Sequence, residues 1–134
     1  MKDAIIRIEC NEQKVDISDM PGKYERLSGR GLISALLLDE VDPVCDPLGS
    51  GNKLIFAPGL FAGTLFSSSN RLSAGGKSPL TGGIKEANAG GMAAHQLGKL
   101  GIRGIVLEGM NESGVPLGIH ITKEGVSLDD LSVF

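Results

Sequence analysis

The sequence predicts an α+β fold: a β-rich single domain of strand hairpins with two helices and a long glycine-rich loop. Three observations carry this. Apolar and polar residues alternate with period two near both ends, two internal stripes recur at helical spacing, and glycine and serine crowd the stretch from 59 to 91. The 134 residues read as one unit, 1–134, with no internal boundary and no short repeat.

The elements follow in order. Ala4, Ile6, Ile8 and Cys10 alternate with Arg7 and Glu9, which makes a half-buried strand. Asn11-Glu12-Gln13 turns the chain, and Val15 and Ile17 alternate with Lys14, Asp16 and Ser18 to complete a hairpin. Met20-Pro21-Gly22 is a break. Leu32, Ile33, Leu36 and Leu37 share one helical stripe, so a helix runs from about Arg30 to Glu40 and stops at Asp42-Pro43. Residues 46–51 form a loop, and Leu54-Ile55-Phe56-Ala57 is a short apolar run that fits a central strand. Within the stretch 59–91, Arg71 to Gly75 is the one candidate strand. Gly90-Gly91 precede a second helix of about Met92 to Leu100, with Gly101 as its stop. Ile105-Val106-Leu107 is a buried strand, and a last hairpin joins Leu117–Ile121 to Val126–Leu128.

Composition excludes several classes. A net charge of -3 argues against a polyanion-binding surface, so no nucleic acid is expected. No apolar run reaches the ~18 residues that cross a bilayer, and residues 1–4 enter a strand without a signal-peptide core, so a cytoplasmic location is expected. Cys10 and Cys45 are too few and too far apart for a disulfide framework or a CxxC metal site. His95 and His120 stand alone, no G-x-S-x-G elbow occurs, and no carboxylate pair is singled out by spacing. No catalytic side chain is expected.

Glycine is the exception to this ordinary composition. It occurs 20 times, about twice the ~7% typical of proteins, and such frequency implies close backbone approach. Convergent backbone N–H groups and a helix N-terminus together make an anion cradle. Asn88-Ala89-Gly90-Gly91 opens the second helix, and Arg71 and Lys77 supply positive charge. Residues 67–70, Ser78 and Thr81 add hydroxyl and amide partners. The spacing fits a phosphate or polar-heterocycle cradle and a structural loop equally well. Gly76-Lys77-Ser78 is not a P-loop, because Arg71 stands where that motif requires glycine. Gly29-Arg30-Gly31 begins a dinucleotide motif but meets Ser34 at its third glycine position.

In order along the chain stand Gly29-Arg30-Gly31-Leu32, Asp46-Pro47-Leu48, Asn52–Ala57, Gly63-Thr64, Arg71, Lys77-Ser78-Pro79-Leu80-Thr81-Gly82, Ala87–Gly91 and Gly104–Gly109. With these the chain resembles the N-terminal domain of the tungsten-containing aldehyde:ferredoxin oxidoreductases. The block Lys77–Gly82 followed by Asn88-x-Gly90-Gly91 is its most specific part. The resemblance implies a β-rich base for two pterin-dithiolene groups that hold tungsten or molybdenum, their phosphates bridged by magnesium. It implies that Arg71 contacts pterin or phosphate. It also implies that Asn88, Ala89, Gly90 and Gly91 approach the phosphate and magnesium through backbone atoms, with Asn88 the magnesium contact. Lys77 joins them as a cofactor-binding residue. Relatives of this kind are longer, and their other domains carry the iron–sulfur cysteines that this chain lacks. The implied function is thus a cofactor-binding module, incomplete by itself. It would serve oxidation of an aldehyde to an acid with ferredoxin as acceptor, and partner with remaining oxidoreductase domains, a subunit or a second copy. The alternatives are an interaction subunit that kept the fold and lost the cofactor, and another phosphate-ligand binder.

Overall fold

The computed structural model describes residues 3–131. The first hairpin pairs β1 (Ala4–Glu9) with β2 (Lys14–Asp19), and Gln13 takes a positive φ of 52° in the tight turn between them. A single 3-10 turn, Gly22–Tyr24, leads to α1 (Gly29–Glu40). β3 (Leu54–Pro58) follows, then β4 (Arg71–Lys77), β5 (Ile84–Gly90), α2 (Met92–Lys99) and β6 (Ile102–Glu108). β7 (Leu117–Ile121) and β8 (Val126–Asp130) close the described chain as a separate hairpin.

Six strands make one mixed sheet in the order β2-β1-β6-β3-β4-β5. β1 and β6 run parallel; every other pair is antiparallel. Successive strand residues face opposite sides, so Ile5 and Ile6 belong to different cores. Ile5, Ile55, Ala57 and Val106 pack under the stripe Leu32, Ile33, Leu36 and Leu37 of α1. Ile6, Ile8, Ile102 and Ile105 pack on the other face with Leu97 of α2, with Leu100 at its C-cap, and with Ile121, Val126 and Leu128 of the last hairpin. The sheet is therefore sandwiched between helical and hairpin layers.

α1 sits close to the sheet because Gly75 has no side chain: a Cβ there would come within 2.8 Å of Ile33 Cγ2 and of Lys85 O. The C-terminal end of α1 is tied down by four charges. Arg7 grips Glu40 bidentately at 2.6 and 2.8 Å, while Lys53 bonds Glu40 at 3.1 Å and also meets Glu108. Burial pushes the Glu40 carboxyl up, but the hydrogen bonds from Arg7 and Lys53 outweigh it and hold the group below its ordinary range. Burial and Asp39 together push the Tyr24 hydroxyl above its usual value beneath the same helix.

The glycine-rich stretch differs from its expected loop form in one respect. Its second half is a regular hairpin, β4–β5, on the sheet edge. Asn88 accordingly lies inside β5, and it is Gly91, at φ 139°, that caps α2.

Candidate functional site

The phase of the β4–β5 ladder decides which groups face outward. Gly91 donates its N–H to Asn70 O, and Ser78 donates to Gly83 O. In an antiparallel pair, hydrogen-bonded and non-hydrogen-bonded positions alternate. Leu72–Ala89, Ala74–Ala87 and Gly76–Lys85 are thus the bonded pairs, and Ser73–Asn88 and Arg71–Gly90 the others. β5 is the last strand of the sheet, so the backbone N–H and C=O groups of Asn88 and Gly90 point off its free edge.

Side chains of non-bonded pairs stand closest, and here they form a chain of contacts. Arg71 donates Nε–H to Asn88 Oδ1 and reaches Asn88 O through Nη2 at 3.5 Å. Asn88 Nδ2 donates to Ser73 Oγ at 3.0 Å. Gly90, directly opposite Arg71, supplies room: a Cβ there would stand 3.4 Å from Arg71 Nη1. Arg71 is exposed, and Nη1 has no protein acceptor among the described residues.

The backbone N–H groups at the start of α2 lie next to this edge. Gly91 offers no side-chain cap, so the first turn of α2 presents free N–H donors and the positive end of the helix dipole. Asn70, the residue before Arg71, fixes this corner. Its Oδ1 accepts the Gly63 N–H at 3.0 Å and lies 3.3 Å from His95 Nδ1, while its carbonyl accepts the Gly91 N–H.

The structure therefore gathers Arg71, Asn88, Gly90 and Gly91 at one end of the hairpin, with Ala89 turned to the opposite face. Lys77 is not with them. It ends β4, six residues away, about 20 Å along a strand. Its ammonium donates to Pro43 O at 2.7 Å and Cys45 O at 2.5 Å, and Asn52 bonds its backbone on both sides. Lys77 fastens the loop 43–52 to the sheet. A cavity of about 670 Å³ lies at that end between Leu54, Ala74, Ala87, Leu107 and Leu80, and its lining includes neither Arg71 nor Asn88. Lys53, Lys77 and Lys85 also line this cavity, but Lys53 and Lys77 are already paired with protein acceptors, whereas Arg71 is exposed beside an open backbone edge, and the candidate site is placed there.

Sequence reasoning missed Ser73. A serine at an inward-facing strand position two residues from an arginine is its only trace. His120 is exposed on β7, and both cysteines are free; burial pushes the Cys10 thiol up. No group of three or more metal-ligating side chains occurs among the described residues.

Residues 5–134 match the sequence model of a family described as aldehyde ferredoxin oxidoreductase, N-terminal domain. A tungsten-containing aldehyde ferredoxin oxidoreductase of Thermococcus kodakarensis is 43% identical over 127 residues, and that of Pyrococcus furiosus 39%; each match covers 95% of this chain and 21% of the relative. The chain thus spans about one fifth of the length of these relatives. Among solved structures, the active site complex of a benzoyl coenzyme A reductase, determined with 1,5-dienoyl-CoA, superposes with a TM-score of 0.89 at 25% identity. That match covers 96% of this chain and 20% of the other.

Proposed function

The chain belongs to the aldehyde ferredoxin oxidoreductase family as its N-terminal domain, and from that premise we propose that its β4–β5 edge holds the phosphate end of a metal-pterin cofactor. The observation that carries the reading is Arg71. Its guanidinium is tethered through Nε to Asn88 and keeps Nη1 free beside an open sheet edge. Arginine in that posture suits two-point recognition of phosphate.

The residues fit such a group. Gly90 and Gly91 put no side chain between the edge and a ligand. The α2 N-terminus adds N–H donors and a favourable dipole for an anion. The outward carbonyl of Asn88 would be the group on this chain to hold a magnesium ion, since such a cation prefers oxygen ligands. When bound, the tungsten- or molybdenum-pterin group supplies two-electron redox chemistry. This chain's residues supply position and charge, and none of them exchanges a proton with substrate.

Two further parts of the reading rest on the relatives. The reaction served would be oxidation of an aldehyde to an acid, with electrons passed to ferredoxin in the cytoplasm. The rest of the enzyme would lie on the exposed apolar residues, Leu65, Phe66 and Leu80 among them. A similar fold occurs in the active site complex of a protein named as a benzoyl coenzyme A reductase. Substrate choice would lie outside this chain, and the chain alone should reduce no viologen dye with aldehyde.

The test is Arg71→Ala. Because Arg71 is exposed, thermal unfolding of the chain should barely change. Cofactor content of the assembled enzyme should fall, since one charge-assisted hydrogen bond is worth about 1.5–3 kcal/mol, roughly ten- to a hundredfold in affinity. Full occupancy in Arg71→Ala would remove the assignment. Among the described residues no helix is long and apolar enough to cross a membrane.

A further inference from the structure

Arg71 projects from the first residue of an edge hairpin, where an arginine would ordinarily sample many rotamers. Here its orientation has an identifiable source two residues along the strand. Ser73 is only 2% exposed, one of two buried polar residues in the described core. It lies directly opposite Asn88 at a non-bonded position, where side chains come closest.

Elementary donor and acceptor rules fix the direction of the contacts. A guanidinium can only donate, so the oxygen of the Asn88 carboxamide must face Arg71 Nε. The amide nitrogen then faces Ser73, whose Oγ accepts at 3.0 Å. A reversed carboxamide would set N–H against N–H at one end. Space for the hydroxyl comes from Gly29 at the start of α1. It takes a positive φ of 49°, and a Cβ there would lie 3.4 Å from Ser73 Oγ. Ser73 is therefore boxed between helix and sheet and gives Asn88 a fixed anchor.

We propose that Ser73 is a positioning residue: through Asn88 it holds the Arg71 guanidinium in the orientation that meets phosphate. The proposal rests on the reading of the β4–β5 edge as a phosphate site. A pre-oriented arginine loses less conformational entropy on binding, so Ser73 contributes affinity without touching the ligand.

Inorganic pyrophosphate, titrated into the whole chain and followed by the ¹⁵N resonance of Arg71 Nε–H, tests it. Wild type should show a saturable shift. Ser73→Ala should weaken binding about three- to tenfold, the affinity equivalent of one net hydrogen bond. Even without ligand it should speed exchange of the Arg71 Nε–H with water. In an Arg71→Lys background, where the charge remains but the Nε contact is gone, Ser73→Ala should change nothing further. No saturable shift in wild type would overturn the phosphate site itself and this proposal with it. Normal wild-type binding with unchanged affinity and exchange in Ser73→Ala would overturn the positioning role alone. So would equal losses in both backgrounds, because Ser73 would then be supporting the fold generally.

Discussion

Gly98 lies in the last turn of α2, against the loop that follows β3. An added Cβ would stand 2.1 Å from Ala62 O, 2.4 Å from Ala62 C and 2.8 Å from Gly63 N. All three are backbone atoms, so no side chain can swing away. The loop cannot retreat freely either. Gly63 faces Gly98 from the other side at φ 80°, and its N–H is held by Asn70. Two effects of opposite sign therefore compete in Gly98→Ala. Alanine is the better helix former by about 1 kcal/mol. Overpacking costs about 1–3 kcal/mol where side chains can adjust, and more where they cannot. The clash wins, and a net loss of about 2 kcal/mol or more is expected, some 6–10 °C in Tm for a domain of this size. Gly31→Ala is the matched control. Its Cβ would meet only Leu27 Cδ2, at an ordinary 3.9 Å, in the first turn of α1. That variant should be neutral or gain up to about 1 kcal/mol. Urea unfolding of both reads the difference. A Gly98→Ala protein as stable as wild type would refute the backbone-to-backbone packing of α2 on the loop.

Two other variants examine the charged parts of the fold. Glu40→Gln should cost about 2 kcal/mol near neutral pH, because it breaks a part-buried bidentate pair. The folded-state pKa of Glu40 is depressed, so its contribution is complete above the ordinary value of 4.5 and is lost as pH falls through the lower folded value. The stability gap between Glu40→Gln and wild type, measured by urea unfolding across pH, should therefore close below pH 4.5; a gap indifferent to pH would count against the pairing. Lys77→Met should cost about 1–2 kcal/mol and speed amide exchange in the loop 43–52, yet leave pyrophosphate binding intact. Lost binding in that variant would return Lys77 to the phosphate site.

What the sequence makes legible depends on whether a segment's two faces differ. The last hairpin has one buried and one wetter face, so its alternation is visible, and in β1 the polar residues Arg7 and Glu9 alternate with Ile6 and Ile8 even though Ile5 is buried on their face. α1 carries a clean stripe, and its predicted start differs from the observed one by a single residue. β6 reads short, as Ile105–Leu107, because both its faces are buried and because Arg103 and Gly104 interrupt the apolar run where the β1–β6 register shifts. β5 gives no signal at all. Ala87, Ala89 and Gly90 are small on both faces, so neither helical nor strand periodicity can appear. The helix start at about Met92 is legible, but Asn88 reads as part of the segment that opens it, when it lies inside β5.

The residues of the candidate site are named by the sequence, but their geometry is not legible there, for a deeper reason. Its working groups are largely backbone: the outward carbonyl of Asn88, the edge of Gly90, the N–H groups that open α2. Backbone groups are the same in every residue, and only geometry decides which of them are free. The free set here follows from a one-residue phase in the ladder. Shift the pairing of β4 and β5 by one, and Asn88 turns its carbonyl inward and its side chain to the other face. Glycine abundance signals that something approaches closely but cannot say from which side. Arg71 is the exception, since its charge is written in its identity, and it is recognised from sequence for that reason. Ser73, which touches no proposed ligand, carries its meaning only through its place opposite Asn88, a relation between strands that a linear reading does not contain.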